Sequence, residues 1–342
     1  MLCGLILRKA QKCFDRINHT ALLKKLNTYP TLRRTIKGWL KSGVVDGGTL
    51  FPTNEGTPQG GVISPLLANI ALHGMEQWIK QDFMVKRILI DGKNVNRNPV
   101  LFVRYADDFV LMHESIEVVQ ACQERITQWL ANLDLTLKAS KTKITHTLSE
   151  HEGNLGFDFL GFKVRQFPSA KSKVNANLKR KAFKTLIKPT KEGIKRHYNR
   201  GAQVIDANKS NSQTALINEL NPIIRGWANY YSRVASKECF SRIGNLIYKK
   251  LKTWAKRRHP TKSGYWVAAK YWHIDKGKGW SFADLKKNSV IRLIQHADIP
   301  IRRHVKVIQN RSPYDGDWVY WSTRMGRSPE ISNRMAALLK RQ

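Results

Sequence analysis

Residues 100–112 constrain the fold of this chain more than any other part of its sequence. The segment, VLFVRYADDFVLM, has two apolar runs of strand-forming residues on either side of Ala106, Asp107 and Asp108. This pattern predicts a β-hairpin whose turn carries two adjacent carboxylates. One interpretation is a solvated turn, since aspartate is common in turns. The other follows from the flanks: a turn that projects from a buried sheet can bind divalent cations, because adjacent carboxylates repel each other unless solvent or cations surround them.

The net charge is the second constraint. It is +35, from 60 Lys and Arg against 25 Asp and Glu. The excess is uneven, because residues 1–165 carry a net +7 and residues 166–342 a net +28. Such a charge favours a polyanionic partner, and nucleic acid is the first candidate. A membrane surface is the weaker alternative, since no lipidation signal or amphipathic anchor is evident. We therefore expect nucleic acid to contact mainly the second half.

The remaining composition excludes several classes of protein. With 42% hydrophobic residues the chain is not disordered, and no apolar stretch approaches the ~20 residues of a membrane span. The four cysteines stand far apart and form no CxxC pair, which argues against a zinc ribbon and a disulfide framework. We expect two or three domains and a reducing compartment, cytoplasmic (bacterial) or organellar, without secretion.

Hydrophobic periodicity places the predicted elements along the chain. Hairpins are predicted at 100–112 and 156–164. Amphipathic helices are predicted at 14–43, with an interruption at Pro30, and at 65–79, 117–133, 178–200, 212–233 and 239–258. A Ser- and Lys-rich linker is predicted at 166–175. Strands and helices in this arrangement favour an α+β fold.

Four segments of the first half resemble, in order, the motifs of reverse transcriptases. KCFDRINHTALLKKL (12–26) resembles the end of the first catalytic motif, and GTPQGGVISPLLANIAL (56–72) the loop and helix under template and incoming nucleotide. FVRYADDFVLM resembles the catalytic hairpin, and GFDFLGFKV (156–164) the primer-grip hairpin. Their combination is far more specific than any one of them.

The second half resembles group II intron-encoded reverse transcriptase/maturases. LINELNPIIRGWANYYSRV (216–234) and LIYKKLKTWAKRRHP (246–260) are similar to the maturase, or thumb, region, and 312–342 to a connector that precedes an HNH endonuclease domain in one lineage. The resemblance implies a partial right-hand polymerase palm with fingers (1–165), a helical thumb/maturase domain (166–260) and a small basic C-terminal DNA/RNA-binding connector (261–342). The chain is expected to stop before the HNH region.

The family resemblance implies RNA-directed DNA synthesis and assistance of group II intron splicing. The implied partners are group II intron RNA, an RNA template with a DNA primer and dNTP, and target DNA as a further possibility; no membrane partner is expected. Asp107 and Asp108 would be the catalytic residues and the ligands of a two-ion Mg²⁺ site.

The resemblance also implies a nucleotide pocket formed by four residues. Phe14 would close on the sugar 2′ position, Gln59 and Gly60 would line the pocket, and Lys141 would lie near the pyrophosphate. The alternatives are a core aromatic at Phe14, a plain turn at Gln59 and Gly60, and a solvated cation at Lys141.

Two departures from the family pattern affect the polymerase. The family has an aspartate five residues before the aromatic that Phe14 matches, and this chain has Lys9 there. Residues 1–11 are unlike the family, and the long fingers region is expected to be missing. Asp15 is not a substitute, because we expect it to cap a helix that begins near Arg16. A lysine adds a like charge where cations must bind, so we expect impaired polymerisation. The alternatives are a non-enzymatic intron RNA-binding splicing factor and a degenerate fragment.

Basic and aromatic residues in the second half predict the RNA contact. Aromatic side chains can stack on bases and cations can pair with phosphates. The predicted RNA-binding residues are Arg225, Trp227, Tyr230, Tyr231, Lys249, Lys250, Lys252, Trp254, Lys256, Arg257 and Arg258. The alternative is that Trp227, Tyr230 and Trp254 belong to the core and that the lysines are a solvated helix face. His296 and His304 are expected at the surface rather than in a zinc site.

Overall fold

The computed structural model divides the chain into two compact units, Met1–Thr190 and Lys191–Gln342. The structure describes residues 3–8, 16–53, 55–57, 61–83, 87–90, 93–96, 99–138, 142–168, 183–274, 280–286, 289–302, 307–308, 311–312, 315–325 and 332–339. Helices and strands are mixed in both units, which confirms the α+β class. The predicted domain boundaries after 165 and after 260 stay predictions.

The first unit is built on a four-stranded antiparallel sheet. Its strands are β1 (Cys3–Arg8), β6 (Leu101–Tyr105), β7 (Asp108–His113) and β8 (Thr142–His146). The order across the sheet is β6-β7-β1-β8. β1 lies inside this sheet, between β7 and β8. Two short ribbons complete the strands before β6: β2 (Val44–Asp46) with β3 (Thr49–Phe51), and β4 (Arg87–Ile90) with β5 (Lys93–Asn96).

Helices pack on this sheet and form a hydrophobic core together with it. They are α1 (His19–Leu26), α2 (Pro30–Lys41), α3 (Ser64–Leu72), α4 (Met75–Asp82) and α5 (Ile116–Ala131). Buried residues from all five helices, α1 through α5, pack against Phe102, Phe109 and Leu111 of the hairpin to form this core. The helix predicted at 65–79 is two helices, because Gly74 adopts a left-handed conformation with φ 86° between them.

A second sheet of three strands follows, β9 (Phe157–Phe159), β10 (Phe162–Pro168) and β11 (Phe183–Pro189). The predicted hairpin at 156–164 is confirmed, and its two-residue turn, Leu160 and Gly161, has positive φ at both positions, as a type I′ turn requires. The helix predicted at 178–200 is wrong in its first half. Residues 183–189 pair with β10, and the helix begins at Lys191.

The second unit begins with three long helices. These are α6 (Lys191–Ala207), α7 (Gln213–Tyr231) and α8 (Lys237–Arg258). The predictions at 212–233 and 239–258 match α7 and α8. A short helix, α9 (Gly264–Tyr271), leads to a sheet of β12 (Trp272–Ile274), β13 (Trp280–Lys286) and β14 (Ser289–Arg292).

The core of the second unit lies between these helices and their small sheet. The side chains buried in this core include Leu220 on α7, Leu251 and Trp254 on α8, and Phe282 on β13. A 3₁₀ turn at His296–Asp298, α10 (Trp318–Met325) and α11 (Asn333–Leu339) complete the described elements. In the described residues of both units, we find no helix with the length and apolar character needed to cross a membrane.

Candidate functional site

The predicted carboxylate hairpin is present. β6 and β7 pair from Leu101 with Met112 to Tyr105 with Asp108, so Ala106 and Asp107 form a two-residue turn. Ala106 has φ 53°, a conformation that costs a non-glycine residue energy. Strained backbone of this kind persists where the surrounding structure holds it and clusters at functional sites.

The carboxylates lie between a buried base and an exposed tip. Phe109 is fully buried, whereas Tyr105 is 65% exposed. Asp107 and Asp108 are both half-buried. The sheet therefore fixes the direction of the turn, and both residues keep part of their surface in solvent, although Oδ1 of Asp108 is itself buried.

Arg104 holds the turn from the side. Its Nη1 donates to the backbone carbonyl of Ala106 at 2.9 Å and to Oδ1 of Asn69 at 3.0 Å. Asn69 lies on α3, in the segment that resembles the loop and helix under the template. Neither residue stands out in the sequence, because their contact joins positions 35 apart in the chain.

A histidine anchors the start of the glycine-rich loop. Nε2 of His19 lies 2.6 Å from the carbonyl oxygen of Gly56, and the Gly56 amide donates to the carbonyl of Ile17 at 2.8 Å. His19 is buried. Gln59 and Gly60, predicted to line the nucleotide pocket, lie outside the described residues, as do Phe14 and Lys141.

Lys25 ties α1 to the end of α3. Its Nζ donates to the carbonyls of Ala71 at 2.7 Å and His73 at 2.6 Å and lies 4.3 Å from the centre of the Trp129 ring. These carbonyls end the helix, where a cation is favourable. Burial, with a smaller contribution from Arg104, lowers the pKa of Lys25 to about 8.

The residues that the structure describes near the hairpin do not complete a two-ion Mg²⁺ site. Within the described ranges, no three His, Cys, Asp or Glu side chains come together as a metal site. The backbone position opposite Asp108 on the neighbouring strand β1 is Arg8, and Lys9 follows it in the sequence. A third shared carboxylate would be expected here, because two ions 3.5–4 Å apart need bridging ligands. Lys9 and Asp15 lie outside the described residues, and the helix α1 is capped by Asn18, whose side chain accepts from the Ala21 amide.

The second unit presents an exposed row of cations along α8. Lys249, Lys252, Lys256 and Arg257 are all exposed. Together with Thr253 and Pro260 they line an open groove of about 570 Å³, called the cationic groove below. The spacing of the three lysines places them on one face of the helix.

Two further cations of this helix make structural contacts. Nζ of Lys250 lies 2.8 Å from Oδ2 of Asp206 on α6. Arg258 donates to the carbonyls of Lys209 at 3.0 Å and Asn211 at 2.8 Å. These contacts link α8 to α6 and to the segment after it. Among the other predicted cations, Arg225 is exposed on α7.

The predicted RNA-binding aromatic residues differ in their exposure to solvent. Trp254 is 4% exposed and its indole N–H donates to the Asn208 carbonyl at 2.8 Å. Tyr231 is also 4% exposed, whereas Tyr230 is 51% exposed. At Trp254 and Tyr231 burial favours the alternative, a place in the core, because a buried ring cannot stack on a base. Trp227 is half-buried.

His296 is not at the surface, and that prediction is wrong. It is 1% exposed, and its Nε2 lies 2.7 Å from Nε2 of His197 on α6. His197 stacks on Trp227 with ring centres 4.4 Å apart. Burial lowers the pKa of His197 to about 4, and burial together with His197 lowers the pKa of His296 to about 3. Both rings are therefore neutral at pH 7, and one donates to the other. His304 lies outside the described residues.

Comparison with known families gives one match in each compact unit. Residues 6–164 match the family "Reverse transcriptase (RNA-dependent DNA polymerase)". Residues 194–272 match "Group II intron, maturase-specific domain". The first match includes the carboxylate hairpin, and the second includes α7, α8 and the cationic groove up to Pro260.

Several curated proteins are similar in sequence. Protein YkfC of Escherichia coli K12 is 32% identical over 179 residues, 44% of this chain and 44% of that protein. The group II intron-encoded protein LtrA of Lactococcus lactis is 26% identical over 319 residues, 73% of this chain and 52% of that protein. An uncharacterized 91 kDa protein in the cob intron of Schizosaccharomyces pombe is 25% identical over 289 residues, 69% of this chain and 35% of that protein.

The chain thus spans about half the length, or less, of the curated relatives that it matches. The two family matches nevertheless follow the same order as the two compact units, the polymerase motifs first and the maturase region second. Residues 6–164 therefore belong to the reverse transcriptase family and residues 194–272 to the group II intron maturase-specific domain, and together with the similarity to LtrA they support a group II intron-encoded reverse transcriptase/maturase.

Proposed function

We propose that this protein acts as a group II intron reverse transcriptase/maturase in which RNA binding by the second unit is retained and DNA synthesis by the first unit is impaired. The observation that carries the proposal is the register of the catalytic sheet, which sets Arg8 opposite Asp108. The strand beside the carboxylate hairpin therefore ends at Arg8, and Lys9 follows it in the sequence, at the position where the family has an aspartate.

The polymerase function needs Mg²⁺, the ion that reverse transcriptases generally use. Asp107 and Asp108 supply carboxylate oxygens suited to it. Arg8 and Lys9 add positive charge at the end of the adjacent strand, and a nearby like charge opposes cation binding. The expected substrates, an RNA template with a DNA primer and dNTP, would thus meet a site with weakened affinity for its ions.

The maturase function rests on the cationic groove. Exposed lysines at Lys249, Lys252 and Lys256 follow one face of α8, and phosphates bind such a row by releasing counterions. The proposed partner is group II intron RNA, which the protein would steady in its active fold while the RNA carries out splicing; target DNA is a further candidate partner.

A double variant separates the two activities. We expect Asp107→Asn with Asp108→Asn to leave binding of the full chain to its intron RNA, and RNA splicing at low Mg²⁺, close to wild type. Lys249→Ala, Lys252→Ala and Lys256→Ala together should weaken both. Loss of intron RNA binding in the aspartate variant, with the fold intact by circular dichroism, would contradict the proposal.

A non-enzymatic splicing factor is the second candidate. The same register favours it, because a cation at the shared-ligand position removes DNA synthesis rather than RNA binding. Complete absence of primer extension at any Mg²⁺ concentration, with normal splicing assistance, would select this candidate over an impaired enzyme.

A further inference from the structure

An aromatic pocket lies next to the cationic groove in the second unit. It has a volume of about 370 Å³. Five Phe, Tyr and Trp side chains line it: Phe240 and Tyr248 on α8, Trp272 on β12, and Trp280 and Phe282 on β13. We call this set the aromatic pocket. Its volume falls in the range of small-ligand sites.

The pocket has a buried floor and an exposed rim. Trp272 and Phe282 are 6% and 3% exposed, with ring centres 5.1 Å apart. Tyr248 and Trp280 are 47% and 58% exposed. Large exposed aromatics at the mouth of a cavity are costly in water and mark binding sites, since a flat ring can stack on them.

Polar groups at the pocket wall suit the edge of a nucleobase. The side chains of Asn245 on α8 and of Gln295 line it, and both are exposed. Gln295 already donates to the Trp280 carbonyl at 3.3 Å and accepts from the Asp298 amide. Asn245 is therefore the amide side chain whose donor and acceptor can match a base edge.

The neighbouring charge selects the class of ligand. Asn245, which lines the pocket, has Lys249 and Lys252 of the cationic groove at i+4 and i+7 on the same face of α8, and Lys256 continues along the helix. The nine residues from Tyr248 to Lys256 span about 12 Å of helix. A strand whose phosphates lie along the cationic groove would therefore carry a base to the mouth of the aromatic pocket.

We propose that the aromatic pocket binds one unpaired base of an RNA strand whose phosphates contact the cationic groove. This inference rests on the proposed RNA-binding function and adds to it a preference for unpaired over paired RNA. Aromatic stacking of single-stranded bases tolerates any sequence, because every base has a π-face.

The test compares a 12-nucleotide single strand with the perfect duplex of the same sequence, each binding the full chain. Trp280→Ala should weaken single-strand binding about 5- to 150-fold and leave duplex binding and the salt dependence unchanged. Trp280→Phe should restore most of the affinity. Trp318→Ala is the matched control, because Trp318 is 46% exposed on α10 and does not line the pocket.

The outcomes distinguish the pocket inference from the proposed RNA-binding function on which it rests. If Trp280→Ala and Tyr248→Ala bind the single strand as wild type does, while the triple lysine variant binds weakly, the pocket inference is wrong and RNA binding stands. If neither set changes affinity, both are wrong. Equal losses for single strand and duplex on Trp280→Ala would also overturn the insertion of an unpaired base.

Discussion

Arg8 and Asp108 are direct partners in the antiparallel register of β1 and β7. The carboxylate hairpin is thus bordered by a strand that ends at one cation, Arg8, and is followed in the sequence by another, Lys9. The sheet retains the framework of a polymerase palm, and on the proposed function the sequence adds positive charge beside the carboxylates that would bind the ions. By contrast, the second unit keeps an exposed row of lysines on α8. On the proposed function, RNA binding and the impaired reaction therefore belong to different units.

Binding to intron RNA should depend steeply on salt through the cationic groove. Removing Lys249, Lys252 and Lys256 should lower the slope of log affinity against log salt by about 0.7–0.9 for each phosphate that the groove no longer neutralises. Titrations between 50 and 200 mM salt measure this slope. Lys250→Ala is the control on the same helix, since Lys250 pairs with Asp206 and should leave the slope nearly unchanged. An equal decrease of the slope in both variants would contradict the assignment of the groove.

Substitution of Trp254 should affect folding rather than RNA binding. Trp254→Ala removes a buried ring and should cost about 3–5 kcal/mol of unfolding free energy. Trp254→Phe keeps most of the packing but leaves the Asn208 carbonyl without its donor, which costs about 1–3 kcal/mol. Urea unfolding measures the loss of unfolding free energy in both variants. RNA affinity, measured at low urea, shows whether binding changes as well. A stable Trp254→Ala chain with weakened RNA binding would restore the stacking interpretation.

The buried pair His197 and His296 should make the second unit sensitive to acid. Both pKa values fall from 6.5, to about 4 and about 3 respectively, so below pH 6.5 the unfolded chain binds more protons than the folded one. The contribution of the pair to the free energy of unfolding is therefore fully present above about pH 7. It decreases as the pH falls, by up to about 1.4 kcal/mol per pH unit for each histidine.

Thermal unfolding between pH 7.5 and 4.5 measures this dependence. The variant His197→Gln with His296→Gln should flatten the slope, because amides do not titrate in this range. A wild-type slope unchanged in the double variant would show that other groups cause the acid sensitivity.

The hairpin and the long helices can be predicted because their signals are local. Two apolar runs of strand-forming residues flank Asp107 and Asp108 within a few positions, and α7 and α8 show a clear helical period. The sequence of β11 resembles a helix, since a strand at a sheet edge has a weaker pattern and is fixed by its pairing with β10. The sequence does not predict β1 because the residues that pair with it, on β7 and β8, lie 100 or more positions away.

The same limit applies to the candidate sites. Asp107 and Asp108 stand out by their chemistry, whereas Arg104 and His19 act through contacts to distant residues. His296 looks isolated in the sequence, but it is buried against His197, 99 residues earlier, and against Trp227 and Phe240. The aromatic pocket combines residues from α8 and β13 and likewise has no continuous sequence signal.

Primer extension on poly(rA) with an oligo(dT) primer and Mg²⁺ tests the central claim most directly, using wild type, Lys9→Asp and the control Lys37→Asp. Loss of a metal-binding carboxylate costs several kcal/mol, or about a thousand-fold in rate. We expect little or no synthesis by wild type and by Lys37→Asp, and a clear increase for Lys9→Asp. Processive DNA synthesis by the wild-type chain at the rate of Lys9→Asp would contradict the claim that the polymerase is impaired.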